Sequence, residues 1–232
     1  MTITLITGAN KGLGFEAAKR LVAVGHSVYL GARDPGRGRV AAESIGARFI
    51  ELDVTSDESV DAAARDIRRR DGQLDVLVNN AGIAGGSGIA PKDVTADDVR
   101  HVFETNVFGI VRVTHAMLPL LLQSENPVIV NVASGLGSIG VVTDPNRMES
   151  RFPTLAYGSS KSAVTMLTVQ YAKAFPEMRV NVVDPGYTAT DLNGNRGTQS
   201  VAEGTDAIVR LATIGPDGPS ATFQDREGTV PW

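Results

Sequence analysis

The chain has 232 residues, a formal net charge of -4 and a pI of about 5.4. With 42% hydrophobic and 21% charged residues it has the composition of a soluble globular protein, and its acidic balance argues against nucleic-acid binding. The lack of cysteine excludes disulfides and thiolate chemistry, and the three scattered histidines lack metal-ligand spacing. No apolar run reaches membrane-spanning length, and no signal peptide precedes the first strand. We therefore expect one cytoplasmic domain, residues 1–232, with no metal site and no membrane or nucleic-acid partner.

The first predicted elements are a strand over residues 2–6, a glycine-rich turn and a helix. In such a turn, backbone amides and the helix N-terminus can approach a pyrophosphate. The spacing is Gly-x3-Gly-x-Gly, which differs from G-x-G-x-x-G, and no P-loop Gly-Lys-Ser/Thr follows it. The alternative is a loop that binds no ligand. The dinucleotide reading assigns to the site Gly8, Asn10, Lys11, Gly12, Leu13 and Gly14.

The end of the second predicted strand, residues 27–30, bears on the type of cofactor. NAD sites usually carry an acidic residue here for the ribose 2′-hydroxyl, whereas a cation accommodates the 2′-phosphate of NADP. The chain reads Gly-Ala-Arg-Asp, so that Arg33 and Lys11 converge on the expected phosphate position. These two cations favour NADP. The alternative is that Asp34 takes the ribose and Arg33 is merely solvated.

The middle of the chain continues the alternation of helices and strands. We predict a helix over residues 37–45, a strand over 47–52, a helix that ends near residue 70, and an apolar strand over 74–78. Asp53 and Val54 follow the third strand, where Asp53 could accept from an adenine amino group or cap the next helix. Asn79, Asn80, Ala81 and Gly82 follow the fourth strand, and a flexible loop is expected over residues 85–88.

A long helical pattern over residues 96–122 precedes a fifth strand over 128–132. Pro119 is expected to kink its last turns. Asn106 lies mid-helix, where asparagine is a poor helix former, so either a site role or an interior hydrogen bond explains it. Five strands that alternate with helices predict an α/β fold with a parallel sheet, and ligands of such sheets lie outside the carboxyl ends of the strands. The residues expected at this edge are Gly8, Arg33, Asp53, Asn79 and Ser134.

Tyr157 and Lys161 lie four residues apart on the next predicted helix and therefore share one face. A neighbouring cation favours the phenolate, so we expect Lys161 to lower the pKa of Tyr157 and to make it a general acid. The helix follows a long loop over 135–154 and precedes a sixth strand over 179–183. Residues 187–199 are predicted to form a mobile lid. A last helix over 200–213 and an edge strand over 221–223 complete the chain.

Taken in order, these motifs show that the chain resembles the short-chain dehydrogenase/reductase family along nearly its whole length. The motifs that carry the resemblance are Thr7-Gly8-x-x-x-Gly12-x-Gly14, Asn79-Asn80-Ala81-Gly82, Asn106, Ser134, Tyr157-x-x-x-Lys161 and Pro185-Gly186. The resemblance implies a Rossmann-like doubly wound parallel sheet of about seven strands with helices on both faces. It also implies a homodimer or homotetramer; the alternative is that the long segment before Tyr157 covers the association surface.

Within this family the chain is similar to NADPH-dependent carbonyl reductases, through its glycine turn, its Arg33-Asp34 pair and the segment that follows Pro185. Tyr157 comes 23 positions after Ser134, farther than is usual in the family. The resemblance therefore implies an insertion at the substrate mouth, about residues 135–154.

The resemblance also implies a role for each site residue. Ser134 would bind the substrate carbonyl, Tyr157 would give it a proton, and Lys161 would lower the Tyr157 pKa and hold the nicotinamide ribose. Asn106 would anchor a water that links Lys161 to solvent. The remaining residues implied to bind NADP(H) are Asp53, Val54, Asn79, Ala81, Gly82, Pro185, Gly186, Thr188 and Thr190.

These inferences predict an NADP-dependent reductase of ketones or aldehydes that acts on a small molecule. The alternative is a nucleotide-sensing regulator that keeps the Rossmann-like fold and does no chemistry. The intact set of Asn106, Ser134, Tyr157 and Lys161 disfavours it, because a sensor needs no proton donor. A serine hydrolase is a weak third reading, since no Gly-x-Ser-x-Gly elbow occurs.

Overall fold

The computed structural model describes residues 1–85 and 89–232. Most of the predicted loop at residues 85–88 lies outside the described residues. The described chain forms a seven-stranded sheet in the order β3-β2-β1-β4-β5-β6-β7, in which every neighbouring pair is parallel. Its strands are β1 (Ile3–Ile6), β2 (Ser27–Ala32), β3 (Arg48–Glu51), β4 (Val76–Asn79), β5 (Val128–Val132), β6 (Arg179–Val183) and β7 (Phe223–Gln224).

Helices cover both faces of the sheet. One face packs against α1 (Gly12–Ala23), α2 (Pro35–Ile45) and α8 (Val201–Ala212). The other packs against α3 (Asp57–Arg70), α5 (Gly109–Leu121) and α7 (Leu155–Ala174), while α4 (Ala96–Phe103) contacts α7. The short α6 (Ile139–Val142) lies in the insertion. The predicted doubly wound α/β fold is confirmed.

The two faces follow from the two-residue period of the strands. Leu5, Leu77, Ile129 and Val180 are paired in register across four adjacent strands, and each is fully buried against the α3, α5 and α7 layer. Their chain neighbours, such as Ile6, point to the opposite layer. Burying each such side chain stabilises the folded state by about 1.5–3 kcal/mol. This row therefore holds the centre of the sheet against the α3, α5 and α7 layer.

Two predicted segments differ from what the structure shows. The helix expected over residues 96–122 is interrupted by a π-helical turn at Glu104–Phe108, which contains Asn106. Pro119 lies inside α5, and the kink expected in the last turns stays a prediction. The insertion is not a bare loop, because it contains 3-10 turns at Gly135–Gly137 and Met148–Arg151 on either side of α6. Its short turns are stabilised locally, for example where the Ser138 hydroxyl accepts from Val141 N at 3.0 Å.

The sheet extends in two directions from β1, which pairs with β2 on one side and with β4 on the other. The strand order therefore reverses at this point. In open parallel sheets such a switch point leaves a crevice outside the carboxyl ends of the strands, since the crossovers on its two sides run to opposite faces. The turns after β1, β2, β4, β5 and β6 lie at this edge of the sheet and therefore border the crevice. None of the helices within residues 1–85 and 89–232 combines the length and the hydropathy that crossing a membrane requires.

Candidate active site

A cavity of about 760 Å³ lies at this edge of the sheet. Most of the predicted cofactor residues line it: Gly8, Asn10, Lys11, Gly12, Leu13, Arg33, Asp53, Val54, Ala81, Gly82, Tyr157, Lys161, Pro185 and Thr190. The lining does not include Gly14, Asn79, Gly186, Thr188, Asn106 or Ser134. The strand ends thus bring most of the predicted residues to the cavity surface, and six of them lie outside its lining.

The glycine turn depends on backbone conformations and close contacts that side chains would prevent. Gly8 and Gly12 have φ of 63° and 58°, in the left-handed region that favours glycine. A Cβ on Gly14 would lie 2.4 Å from Asn80 Nδ2 and 2.9 Å from Ala9 Cα. Gly14 therefore allows α1 to pack against the turn after β4, and its role in this structure is packing behind the cavity.

Asn79 and Asn80 have opposite positions although they are adjacent. Asn79 is 2% exposed, and its Nδ2 donates to Thr114 Oγ1 and to Asn131 Oδ1 inside the sheet layer. Asn80 lines the cavity, and its Nδ2 donates to Thr7 O at 2.8 Å. Side chains alternate along an extended chain, so only one of the two can face the crevice. The Asn79 side chain therefore faces the sheet layer, and the contact to adenine or ribose that the resemblance implies for this residue stays a prediction.

Cationic side chains line the cavity near the end of β2. Arg33 forms no ion pair with the described residues, whereas Lys11 Nζ lies 2.8 Å from Asp191 Oδ2 across the cavity. Arg37, which the sequence reasoning missed, also lines it. Arg37 lies in the first turn of α2, after the N-cap Asp34, and no spacing within the helix relates it to Arg33. The cavity therefore presents three cations at one end.

Asp34 stabilises the start of α2. It is the N-cap of α2 and accepts from Arg37 N at 3.0 Å and from Arg37 Nε at 2.7 Å. The hydrogen bond from the Arg37 backbone, followed by that from its side chain, holds the pKa of Asp34 below its usual value. The carboxylate that an NAD site would turn toward the ribose is therefore engaged within its own helix.

Asp53 closes a tight turn after β3. Its Oδ1 accepts from Thr55 N at 2.9 Å and from Thr55 Oγ1 at 2.7 Å, while Ser56 caps α3. Burial disfavours the ionised form, but the Thr55 hydrogen bonds and the charges of Arg33 and Arg112 outweigh it, so the pKa of Asp53 lies below its usual value. Asp53 thus stays ionised at the cavity wall.

Asn106 holds the loop after β4 against α7. It is fully buried, and its Nδ2 donates to Ile83 O at 2.9 Å and to Ser160 Oγ at 3.0 Å. Its Oδ1 accepts from Ile83 N at 2.8 Å. A Cβ on Gly82 would lie 3.3 Å from Asn106 Oδ1 and 3.5 Å from Lys161 Nζ, so both polar groups lie close to the Gly82 backbone. The structure shows the interior hydrogen bonds of Asn106, and its site role stays a prediction.

Ser134, at the end of β5, and Tyr157, on α7, lie close to one another. Burial, followed by the charge of Asp184, raises the pKa of Tyr157 to about 12, and the Ser134 hydroxyl opposes this rise. The expectation that Lys161 lowers this pKa is wrong for the present arrangement, because burial and Asp184 dominate. At neutral pH the phenol therefore keeps its proton, as a proton donor must.

Lys161 is 4% exposed, and its Nζ donates to Val132 O at 2.8 Å. Nζ also lies 5.6 Å from the centroid of the Tyr157 ring. Burial lowers the pKa of Lys161 to about 8, and the charge of Asp184 opposes the shift. Near pH 7 most Lys161 is still an ammonium ion, one helical turn from the phenol.

Backbone hydrogen bonds join the two ends of the predicted lid, residues 187–199, to each other. Thr188 and Gln199 form an isolated bridge, and Ala189 N donates to Gln199 O at 2.9 Å. Thr188 is 4% exposed and its hydroxyl donates to Pro185 O, so it faces the protein interior. Thr190 lines the cavity beside the glycine turn. The segment therefore covers the turn through Thr190, Asp191 and Leu192.

Fold and site together define an oxidoreductase of the Rossmann type. The family model described as short chain dehydrogenase matches residues 2–200. The chain therefore belongs to the short chain dehydrogenase family.

Relatives match over nearly the whole chain. Short-chain dehydrogenase anuI of Penicillium roqueforti is 38% identical, over 98% of this chain and 95% of the relative. Salutaridine reductase of Papaver bracteatum is 31% identical, over 97% of this chain and 94% of the relative. The solved structure of an NADPH-bound carbonyl reductase from chicken fatty liver has a TM-score of 0.87 at 26% identity, with 100% of both chains covered.

Proposed function

We propose that this protein is an NADP(H)-dependent reductase that converts a ketone or aldehyde into an alcohol, with Tyr157 as the proton donor. The observation that carries the proposal is that Tyr157 and Lys161 line the same cavity as the glycine turn, with Lys161 Nζ 5.6 Å from the centroid of the Tyr157 ring. The carbonyl-reductase relationship supports the direction of the reaction.

The residues present fit an NADP(H) cofactor. Gly8 and Gly12 form a cradle that a Cβ would strain, and α1 begins at this cradle with its N-terminus toward the cavity. Arg33, Arg37 and Lys11 would hold the 2′-phosphate, since cations accommodate this group. Asp53 and Asn80 would lie along the adenosine part. When bound, the cofactor supplies a hydride for the carbonyl carbon.

The chain's own residues supply orientation and a proton. Ser134 would hold the carbonyl oxygen by a hydrogen bond, and the Tyr157 hydroxyl would transfer its proton to that oxygen. The Lys161 ammonium would stabilise the developing tyrosinate, because an opposite charge nearby favours the ionised phenol. Asn106 would keep Ile83 and α7 in place, so that Lys161 stays directed at the site.

The walls beside Tyr157 support an apolar substrate. A small cavity of about 30 Å³ next to Tyr157 is lined mainly by apolar groups that include Ile89, Val94, Pro153 and Leu155. Leu155 is 48% exposed at this mouth, and Leu192 is 45% exposed where it lines the large cavity. The alignment with salutaridine reductase covers 293 positions, more than the 232 residues of this chain, so that relative carries segments that this chain lacks. The substrate of salutaridine reductase is therefore not assigned to this chain.

The test is NADPH oxidation against a panel of cyclic ketones, aldehydes and quinones, with Tyr157→Phe as the matched variant. We expect turnover of apolar carbonyls by the parent chain and a loss of at least about 100-fold in Tyr157→Phe, the usual scale of general-acid catalysis. NADPH binding, followed by its fluorescence, should remain in the variant. If NADPH binds but no carbonyl is turned over, and Tyr157→Phe leaves the cellular role unchanged, the sensor alternative replaces this proposal.

A further inference from the structure

Arg112 on α5 joins three segments of the chain behind one wall of the cavity. Its side chain is 20% exposed. Nη1 donates to Val54 O at 2.7 Å, Nη2 lies 2.9 Å from Glu104 Oε1, and Nε pairs with Asp57 Oδ1. The three nitrogen atoms of one guanidinium group thus contact the turn after β3, the π-helical turn and the start of α3.

Two of these segments carry residues of the cavity lining. Asp53 and Val54 line the cavity from the turn after β3, and Thr105 lines it from the π-helical turn Glu104–Phe108. Arg112 is not part of this lining, so its guanidinium group contacts the wall from behind. A group in this place can fix the shape of the wall without touching what the cavity binds.

The peptide group between Val54 and Thr55 connects Arg112 to Asp53. A peptide group is planar, so the C=O of Val54 and the N–H of Thr55 turn together. Arg112 holds the C=O, and the Thr55 N–H donates to Asp53 Oδ1 at 2.9 Å. The Asp53 carboxylate at the cavity surface is therefore oriented by a guanidinium group on another element.

The packing of α5 fixes the same peptide from its other side. A Cβ on Gly109 would lie 3.0 Å from Val54 Cγ2 and 3.4 Å from Val54 O, so the helix approaches this turn closely. Val54 is 8% exposed. The ion pairs with Glu104 and Asp57 in turn fix the plane of the Arg112 guanidinium group.

We propose that Arg112 is a positioning residue for the adenosine half of the cofactor, which acts by fixing the Val54–Thr55 peptide and, through it, the Asp53 carboxylate. The inference rests on the proposed placement of NADP(H), in which Asp53 lies along the adenosine part. Arginine suits this role because its planar fork serves several acceptors at once, whereas the lysine ammonium is a point charge on a flexible stem. Loss of the fork should weaken binding of the adenosine half.

The first experiment measures binding of NADPH and of adenosine 2′,5′-bisphosphate, which represents the adenosine half, by calorimetry. Arg112→Lys keeps the charge and removes the fork. Arg100→Lys makes the same change on α4, where Arg100 forms an exposed ion pair with Asp97. We expect Arg112→Lys to weaken both ligands by the same factor of about ten, as the loss of about 1.4 kcal/mol of binding energy would do. Arg100→Lys should weaken neither.

The ratio of the two losses separates positioning from other roles. A folded Arg112→Lys variant with unchanged affinity for the bisphosphate overturns the inference, even if its melting temperature falls. A larger loss for NADPH than for the bisphosphate also overturns it, because the effect would then lie at the nicotinamide end. If the parent chain binds neither ligand, the proposed cofactor site fails instead. Turnover is not measured, so failure of the carbonyl panel remains a separate result.

The second experiment keeps Arg112 in place and decides the question if Arg112→Lys does not fold. Glu104→Ala removes one partner of the guanidinium group, and Glu43→Ala removes an exposed carboxylate on α2 as the control. Removing a negative charge would by itself strengthen binding of an anionic ligand, whereas a loosened Arg112 weakens it. We expect both ligands to bind about threefold more weakly to Glu104→Ala. Unchanged or tighter binding would contradict the inference.

Discussion

Gly14→Ala tests whether the glycine turn depends on close packing against the turn after β4. The added methyl group would lie 2.4 Å from Asn80 Nδ2, 2.9 Å from Ala9 Cα and 3.0 Å from Gly8 O. Ala9 and Gly8 present backbone atoms, which cannot move aside by a rotamer change. Asn80 can move, but only by giving up its hydrogen bonds to Thr7 O and Gly8 O.

The magnitude follows from these contacts. Overpacking costs about 1–3 kcal/mol, and the two displaced Asn80 hydrogen bonds cost about 0.5–1.5 kcal/mol each. Alanine stabilises a helix by about 0.5–1 kcal/mol relative to glycine, which offsets part of this cost. We expect a net loss of about 1–5.5 kcal/mol in the free energy of unfolding, centred on about 3 kcal/mol.

Urea denaturation measures this loss, and a second glycine provides the matched control. Gly215 has no atom within 4 Å of an added Cβ, so Gly215→Ala should change stability by no more than about 1 kcal/mol. With an m-value of about 2 kcal/mol/M, the Gly14→Ala midpoint should fall by roughly 1–2 M. NADPH affinity should fall in parallel because the distorted turn forms the cofactor cradle. A Gly14→Ala midpoint equal to that of Gly215→Ala would refute the packing role.

Three further predictions concern charge. Arg33→Ala should weaken NADPH binding much more than NADH binding in fluorescence titrations, while Arg65→Ala on α3 should affect neither; an equal loss for both cofactors would exclude the 2′-phosphate role. Because the pKa of Lys161 is about 8 and its ammonium form supports proton transfer, kcat for reduction should decline as pH rises through about 8, and a flat profile to pH 10 would contradict this. Hydrogen bonds from the Ser200 backbone and side chain depress the pKa of Glu203 to about 2, so its ionised form stabilises the folded state above its unfolded pKa and this contribution is lost as pH falls toward about 2. Glu203→Gln should therefore lower the urea midpoint at pH 7 and by less at about pH 3; a constant difference would exclude the linkage.

Much of the architecture could be predicted from the sequence because its causes are local. Two-residue and helical periodicities predict the order of strands and helices, and Gly8 and Gly12 predict a turn with left-handed backbone conformations. The order of motifs through Tyr157 and Lys161 identifies the family. The parallel sheet and the convergence of strand ends then follow from the α/β alternation.

The tertiary structure decided which of the expected residues face the cavity. Asn79 and Asn80 are equivalent in the sequence, but the strand phase buries the first and exposes the second to the crevice. Thr188 likewise faces α8, where a Cβ on Gly204 would lie 2.1 Å from its hydroxyl. Side-chain direction at a strand end depends on a phase that a one-residue shift reverses, so motif spacing alone does not determine it.

The Tyr157 and Lys161 pair was determined by the sequence as a pair, because a four-residue spacing on a helix places both side chains on one face. Its electrostatics were decided only by the fold. Burial and Asp184 raise the pKa of Tyr157, and burial lowers that of Lys161. Desolvation and the charge of Asp184 depend on residues that are distant in the chain, and so only the folded structure sets the charge around the proton donor.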